Sequence, residues 1–186
     1  MTKKQESWLV AGIVLLALVL DQVSKVYIKT HFELGEAREV LSWFWIAFVE
    51  NNGMAFGIEW FSKLLLTLFR IVAVGVLSWY IHTMIHKQTV RTGYLVTIAM
   101  VVAGALGNII DCVFDGKIWG YAGWFHGRVV DMLYFPLIRN AAGECLFFRP
   151  VFNIADSFIT VAVILILLFY RKDLDESLNK IFPKKD

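Results

Sequence analysis

Two aspartates are the first residues in this sequence that could do chemistry. Asp156 lies in the run from Val151 to Tyr170, VFNIADSFITVAVILILLFY. As a helix this run could cross ~30 Å of hydrocarbon. A carboxylate inside such a span is costly, which makes it a functional-site candidate. Asp131, in GRVVDML, precedes it in a polar loop. Two carboxylates meeting at one membrane face cannot both ionise readily, so near neutral pH they share a proton. The ionised member can take a proton from water, and the protonated member can give one to a carbonyl oxygen or a leaving amine. That is the division of labour of an aspartic peptidase. It needs no serine, cysteine, metal or cofactor.

The rest of the chain must bring these groups together. Of the 186 residues, 58% are hydrophobic, above the roughly half expected of a soluble domain. The excess falls in four blocks, 8–28, 64–85, 94–114 and 151–170, which predicts a single polytopic membrane domain, mostly helical. The first block carries Asp21 and lacks a small-residue cleavage pattern, so it does not read as a cleavable signal. Lys3 and Lys4, then Lys87 and Arg91, then the basic residues of the tail 171–186 mark alternate sides of a four-span chain. Both termini and the middle turn are therefore expected in the cytoplasm, with the loops 30–62 and 114–150 facing outward. Both loops are aromatic-rich. Val40 to Val49 reads as a strand that turns at Asn51-Asn52-Gly53 and resumes over 54–61, with Trp43, Phe44, Trp45, Trp60 and Phe61 suited to the interface. The tail reads as a short helix ending before Pro183.

Counting depth along the spans gathers the polar groups into one layer. Asp21 is ~20 Å in from Trp8. Asn108 and Asp111 close the third span, and Asn153 and Asp156 open the fourth, so all five fall in the outer third. The two Asn/Asp pairs are spaced i,i+3 and Asp21 and Lys25 i,i+4, each sharing one helical face. The small residues of Gly104-Ala105-Leu106-Gly107 allow close helix approach. Plainer roles stand beside these: an internal Asp21–Lys25 ion pair, interhelical hydrogen bonding by Asn108 and Asn153, and a span-end cap by Asp111. Arg70 reads as a counter-charge or headgroup contact. The four histidines show no metal-like spacing, and the spacing of Cys112 and Cys145 leaves open whether they pair. A net charge of +2 gives no reason to expect a nucleic-acid partner. A proton-coupled transporter or channel would need polar groups through the full thickness, and the inner halves of spans three and four are nearly pure hydrocarbon. A non-catalytic anchor would explain the spans alone.

Five blocks, in order, resemble the lipoprotein signal peptidases (signal peptidase II). They are Asp21-Gln22-Val23-Ser24-Lys25, Asn51 to Gly57 (NNGMAFG), Gly104 to Asp111 (GALGNIID), Val129-Val130-Asp131 and Phe152-Asn153-Ile154-Ala155-Asp156. The resemblance implies a bacterial inner-membrane aspartic endopeptidase with four transmembrane helices, a small extracytoplasmic β-cradle and a mobile helical loop. It implies Asp131 and Asp156 as the dyad, facing the outer side. Asp21, Lys25, Asn51, Gly53, Asn108, Asp111 and Asn153 would shape the site and bind substrate. The implied substrate is a diacylglyceryl-modified prolipoprotein, cleaved before its lipidated cysteine among membrane lipids, with globomycin-type inhibitors expected at the dyad. Two departures stand out. The family usually has Arg directly after the span-three aspartate, where this chain has Cys112, leaving Arg128 or Lys117 to balance Asp111. Segments 115–127 and 136–150 also look longer than in many members.

Overall fold

The structure, a computed structural model, describes residues 1–51, 63–87, 90–140, 145–147 and 150–182. Helix α1 runs Lys3–His31. It begins earlier than hydrophobicity suggests because Thr2 and Gln5 form a reciprocal cap. The Gln5 N–H donates to Thr2 Oγ1 at 3.2 Å, and the Thr2 N–H to Gln5 Oε1 at 2.9 Å. Strands β1 (Ala37–Leu41) and β2 (Phe44–Asn51) follow, then α2 (Lys63–Lys87) and α3 (Thr92–Ile110). Helix α3 continues as a π-helical turn, Asp111–Asp115, and a short α4, Gly116–Ile118. The remaining elements are β3 (Val129–Tyr134), β4 (Ile138–Arg139), β5 (Cys145–Phe147), β6 (Val151–Phe152), α5 (Ile154–Phe169) and α6 (Arg171–Ile181).

Three helical segments among the described residues are long and apolar enough to cross a membrane: Lys3–His31, Leu64–Lys87 and Thr92–Ile118. A fourth exists if α5 and α6, bent by 89° from one another, count as one span. The expected fourth span starts later than Val151 because Val151 and Phe152 pair with Tyr134 and Leu133 as a strand. The tail forms the expected short helix, α6.

The chain divides into two compact units. The first comprises 1–19, 69–106 and 155–186. Its core is Tyr80, Ile81, Met84, Tyr94, Leu95, Ile98, Ala99 and Val102, with Leu174 and Ile181 of α6 packed on it. Arg91 fixes α6 by donating from its backbone N–H and its guanidinium to Asp173, the closest approach being 2.6 Å. Gly104 allows α3 to lie directly on α5. A Cβ there would come 2.4 Å from the Ala155 carbonyl oxygen and 2.7 Å from Ile159 Cγ1.

The second unit comprises 20–68 and 107–154. It holds an antiparallel sheet in the order β1-β2-β3-β6. The sheet corrects the expected hairpin: β1 and β2 turn at Ser42-Trp43, inside the stretch read as a single strand. The expected turn at Asn52-Gly53 and the strand over 54–61 lie outside the described residues. Gly35, at φ 89°, gives its N–H to the Phe48 carbonyl, a backbone geometry that side-chain-bearing residues rarely adopt. Trp43 and Phe44 pack against Phe135, which stacks on Phe152 at 5.6 Å between ring centroids. The aromatic residues of the two loops thus bind the loops to each other. Gly104→Ala is expected to destabilise the protein by about 1–3 kcal/mol, because the obstacle is backbone oxygen. Thermal unfolding in detergent reads this out, and an unchanged midpoint would show that the helices separate at no cost.

Candidate active site

Asp131 occupies β3, between β2 and β6, and not the loop expected for it. Its neighbours Val130 and Met132 are buried with Ile28 and Phe48, so apolar packing on both sides fixes the strand. Three steps along β2, from Ile46 to Val49, meet two along β3, from Leu133 to Asp131. This bulge sets the register that places Asn51 beside the carboxylate, and bulges commonly re-aim side chains near active sites. Asn51 Nδ2 donates to Asp131 Oδ2 at 3.2 Å. Asn153, directly after β6, donates from Nδ2 to Asp131 Oδ1 at 2.7 Å. Both carboxyl oxygens therefore accept from side-chain amides.

The second hydrogen of the Asn153 amide goes to Asn108 Oδ1, at 3.1 Å. The same oxygen accepts from Lys25 Nζ at 3.1 Å. Lys25 is buried, and its ammonium also pairs with Asp21 Oδ2 at 2.8 Å and Asp111 Oδ2 at 2.7 Å. Three N–H groups thus meet three acceptors. Gln22 closes the far side, donating from Nε2 to Asp21 Oδ2 at 3.1 Å, Asp111 Oδ1 at 2.9 Å and the Gly107 carbonyl at 3.2 Å. A continuous hydrogen-bonded chain runs from the Asp21/Asp111 pair through Lys25, Asn108 and Asn153 to Asp131 and Asn51.

The π-helical turn carries Asp111. Such insertions are frequent at functional sites. The returning chain locks onto it: the Gly127 N–H donates to the Cys112 carbonyl at 3.0 Å and the Phe125 N–H to the Val113 carbonyl at 3.0 Å. Only glycine fits at 127, since a Cβ would lie 1.9 Å from the Asp111 carbonyl oxygen. A second polar cluster holds the segment after the turn. Lys29 Nζ pairs with Asp115 at 2.7 Å and Glu50 at 3.5 Å, and lies over the rings of Trp119 and Tyr121. Arg128 Nη1 pairs with Glu50 at 2.9 Å. Burial pushes the Tyr121 phenol above its ordinary value, although the Arg128 backbone N–H donated to it acts the other way. It therefore stays a neutral hydroxyl there.

Of the expected site residues, Asp21, Lys25, Asn51, Asn108, Asp111, Asn153 and Asp131 join in one network. Asp156 is half-buried in the first turn of α5, three residues after Asn153. Gly53 lies outside the described residues. The Asp21–Lys25 pair forms at its i,i+4 spacing. Asp111 is no exposed cap; it is buried against Lys25. Neither Arg128 nor Lys117 is needed to balance it, because Arg128 serves Glu50 and the cation on Asp111 is Lys25. Cys112, where the resemblance led to an expected arginine, is buried, and Cys112 and Cys145 are both thiols. Gln22, Lys29, Glu50 and Asp115 were not legible as site residues. For Lys29 the signal was its spacing, four residues beyond Lys25 on the same helical face. Among the described residues no group of His, Cys, Asp or Glu side chains is arranged to hold a metal ion.

The family model described as Signal peptidase (SPase) II matches residues 13–171. This chain belongs to the signal peptidase II family. A lipoprotein signal peptidase of Porphyromonas gingivalis is 44% identical over 185 residues, covering 87% of this chain and 82% of that protein. One from Amoebophilus asiaticus is 34% identical, covering 97% and 84%. A solved bacterial membrane enzyme superposes with a TM-score of 0.67 at 29% identity, covering 95% of this chain and 93% of its own. The chain is thus a peptidase of the signal peptidase II family and a multi-pass membrane protein, and membership does not favour the transporter reading. Lys25→Met strands Asp21 and Asp111 together in a buried site. A loss of about 3–5 kcal/mol in stability is expected, partly recovered by adding Asp111→Asn. Unfolding of the single and double variants in detergent checks this; equal stability of Lys25→Met and wild type would mean that the ammonium is dispensable.

Proposed function

We propose that this signal peptidase II family member is an aspartic endopeptidase that removes the signal peptide from diacylglyceryl-modified prolipoproteins, cutting just before the lipidated cysteine. Asp131 and Asp156 form its dyad. The observation that carries this reading is the restraint on Asp131. Its two oxygens are held by Asn51 and Asn153, at the end of a buried chain of polar groups. Asp156 follows Asn153 by three positions in sequence.

In the reaction, one carboxylate of the dyad removes a proton from water as the oxygen adds to the scissile carbonyl carbon. The other carboxyl gives its proton to the carbonyl oxygen. In the resulting gem-diol, the newly protonated carboxyl passes its proton to the amide nitrogen. The C–N bond breaks, and a gem-diol hydroxyl returns a proton to the second carboxylate. One water is consumed, an acid and an amine are released, and the dyad is restored. Asp21, Lys25, Asn51, Gly53, Asn108, Asp111 and Asn153 shape the site and position the substrate backbone. The distribution of lysine and arginine supports cytoplasmic termini and an active site toward the outer face of the bacterial inner membrane. Membrane lipids surround the spans, and globomycin-type inhibitors act at the dyad.

Gel-shift cleavage of a lipid-modified prolipoprotein tests the reading. Wild type should cleave it, and globomycin should block the cleavage. Asp131→Asn and Asp156→Asn should each abolish turnover, by ~10³-fold or more, while still inserting in the membrane. Full activity in either variant would remove the dyad.

A further inference from the structure

The cluster around Lys29 leaves one of its charges in the open. The side chains of Lys29, Glu50 and Asp115 are 12% exposed or less, whereas that of Arg128 is 45% exposed. Its Nη1 is given to Glu50, and the Tyr121 ring lies 5.4 Å from the guanidinium carbon. Glu50 also meets Lys29, so it does not use up the charge of Arg128. Among the described residues, the Nε and Nη2 groups of Arg128 meet no acceptor. With Leu34, Gly35, Phe48, Val49 and Glu50, Arg128 lines a recess of about 450 Å³, a size at which clefts hold ligands.

Phe48, Val49 and Glu50 are consecutive in β2. Side chains alternate across a strand, so a recess that touches all three follows the edge of the strand, not one face of the sheet. That edge is open. Strand β1 pairs with β2 as far as Ala37 opposite Ala47, and Gly35 and Glu36 then exchange backbone bonds with Phe48. From Val49 to Asn51, β3 pairs along one side, and no strand among the described residues covers the other. The same stretch serves the candidate site. Val49 is the register partner of Asp131, and Asn51 donates to its carboxyl. An extended polypeptide added to such an edge gains main-chain hydrogen bonds, and recesses beside it sort its side chains. We propose that this edge receives the substrate polypeptide and that Arg128 selects an acidic side chain in it. The segment is the one on the mature side of the cut. The sheet belongs to the loops that charge distribution turns outward, whereas the apolar run of a signal peptide stays in hydrocarbon. The proposal deepens the peptidase reading above and rests on it.

The test is kcat/KM of the full-length protein on lipid-modified prolipoproteins that carry glutamate, glutamine or lysine at single positions after the cysteine. At one of these positions wild type should favour glutamate over glutamine by about fivefold, with lysine poorest. Arg128→Gln should abolish that preference. A merely structural role would lower the rates on all three substrates alike and keep the preference, which would overturn the proposal. Should Arg128→Gln not fold, Arg128→Lys keeps the charge but loses the planar fork, and should weaken the preference without removing it. A preference unchanged in Arg128→Lys and Arg128→Gln alike would overturn the proposal. Equal wild-type rates on the three substrates at every position would also overturn it, and dependence of those rates on anionic phospholipid would then assign Arg128 to a lipid headgroup. Failure of the peptidase reading is distinct: wild type would cleave none of the lipid-modified substrates.

Discussion

The buried ammonium of Lys25 is the constraint on which the site depends. A cation away from water is tolerable only if its donors are met, and here three acceptors meet three N–H groups. Those acceptors come from α1, from the end of α3 and from the π-helical turn. One side chain thereby fixes how three backbone segments approach. It also explains why two carboxylates can sit together in an apolar setting. Asp21 and Asp111 would repel one another without the charge between them, and Gln22 takes up oxygens of both.

The sheet performs a different task. A carboxylate on a flexible loop could reach several partners, with none of them fixed. On β3, Asp131 is paired with Val49 of β2 and has buried Val130 and Met132 as neighbours. Its rotamer is then set by two amides, one from each flanking segment of the sheet. In the proposed dyad, preorganisation of this kind would position Asp131 before the substrate arrives. The second cluster, Lys29 with Asp115, Glu50 and two aromatic rings, extends the same logic outward. It ties the segment after the π-helical turn to α1 and to β2, using the next position on the α1 stripe.

Much of this was legible in the sequence, for identifiable reasons. Residue spacing along a helix reports which side chains share a face, so the Asp21–Lys25 pair and the Asn108/Asp111 pair could be read directly. Depth counting gathered the polar groups because rise per residue is constant in a helix. What spacing does not report is long-range pairing. Val129 to Tyr134 is a short apolar stretch broken by an aspartate, and nothing local says that it lies between β2 and β6. The hairpin at Ser42-Trp43 lacks the glycine or asparagine that usually marks a tight turn, so Val40–Val49 read as continuous. Val151 and Phe152 looked like the start of a helix because a strand with two residues has no period to detect.

The resemblance led to an expected arginine after Asp111, and this chain has Cys112 there. An arginine at that position would bring a second cation to a carboxylate that Lys25 already reaches at 2.7 Å. In this chain Cys112 is buried there instead, and its carbonyl accepts from Gly127 where the chain folds back. The close approach of Gly127 to the Asp111 carbonyl leaves no room for a Cβ. A small, apolar side chain at 112 and glycine at 127 are compatible demands of one tightly packed turn. Charge balance at Asp111 therefore does not need the following residue. It comes from Lys25 on α1, whose ammonium Asp111 shares with Asp21.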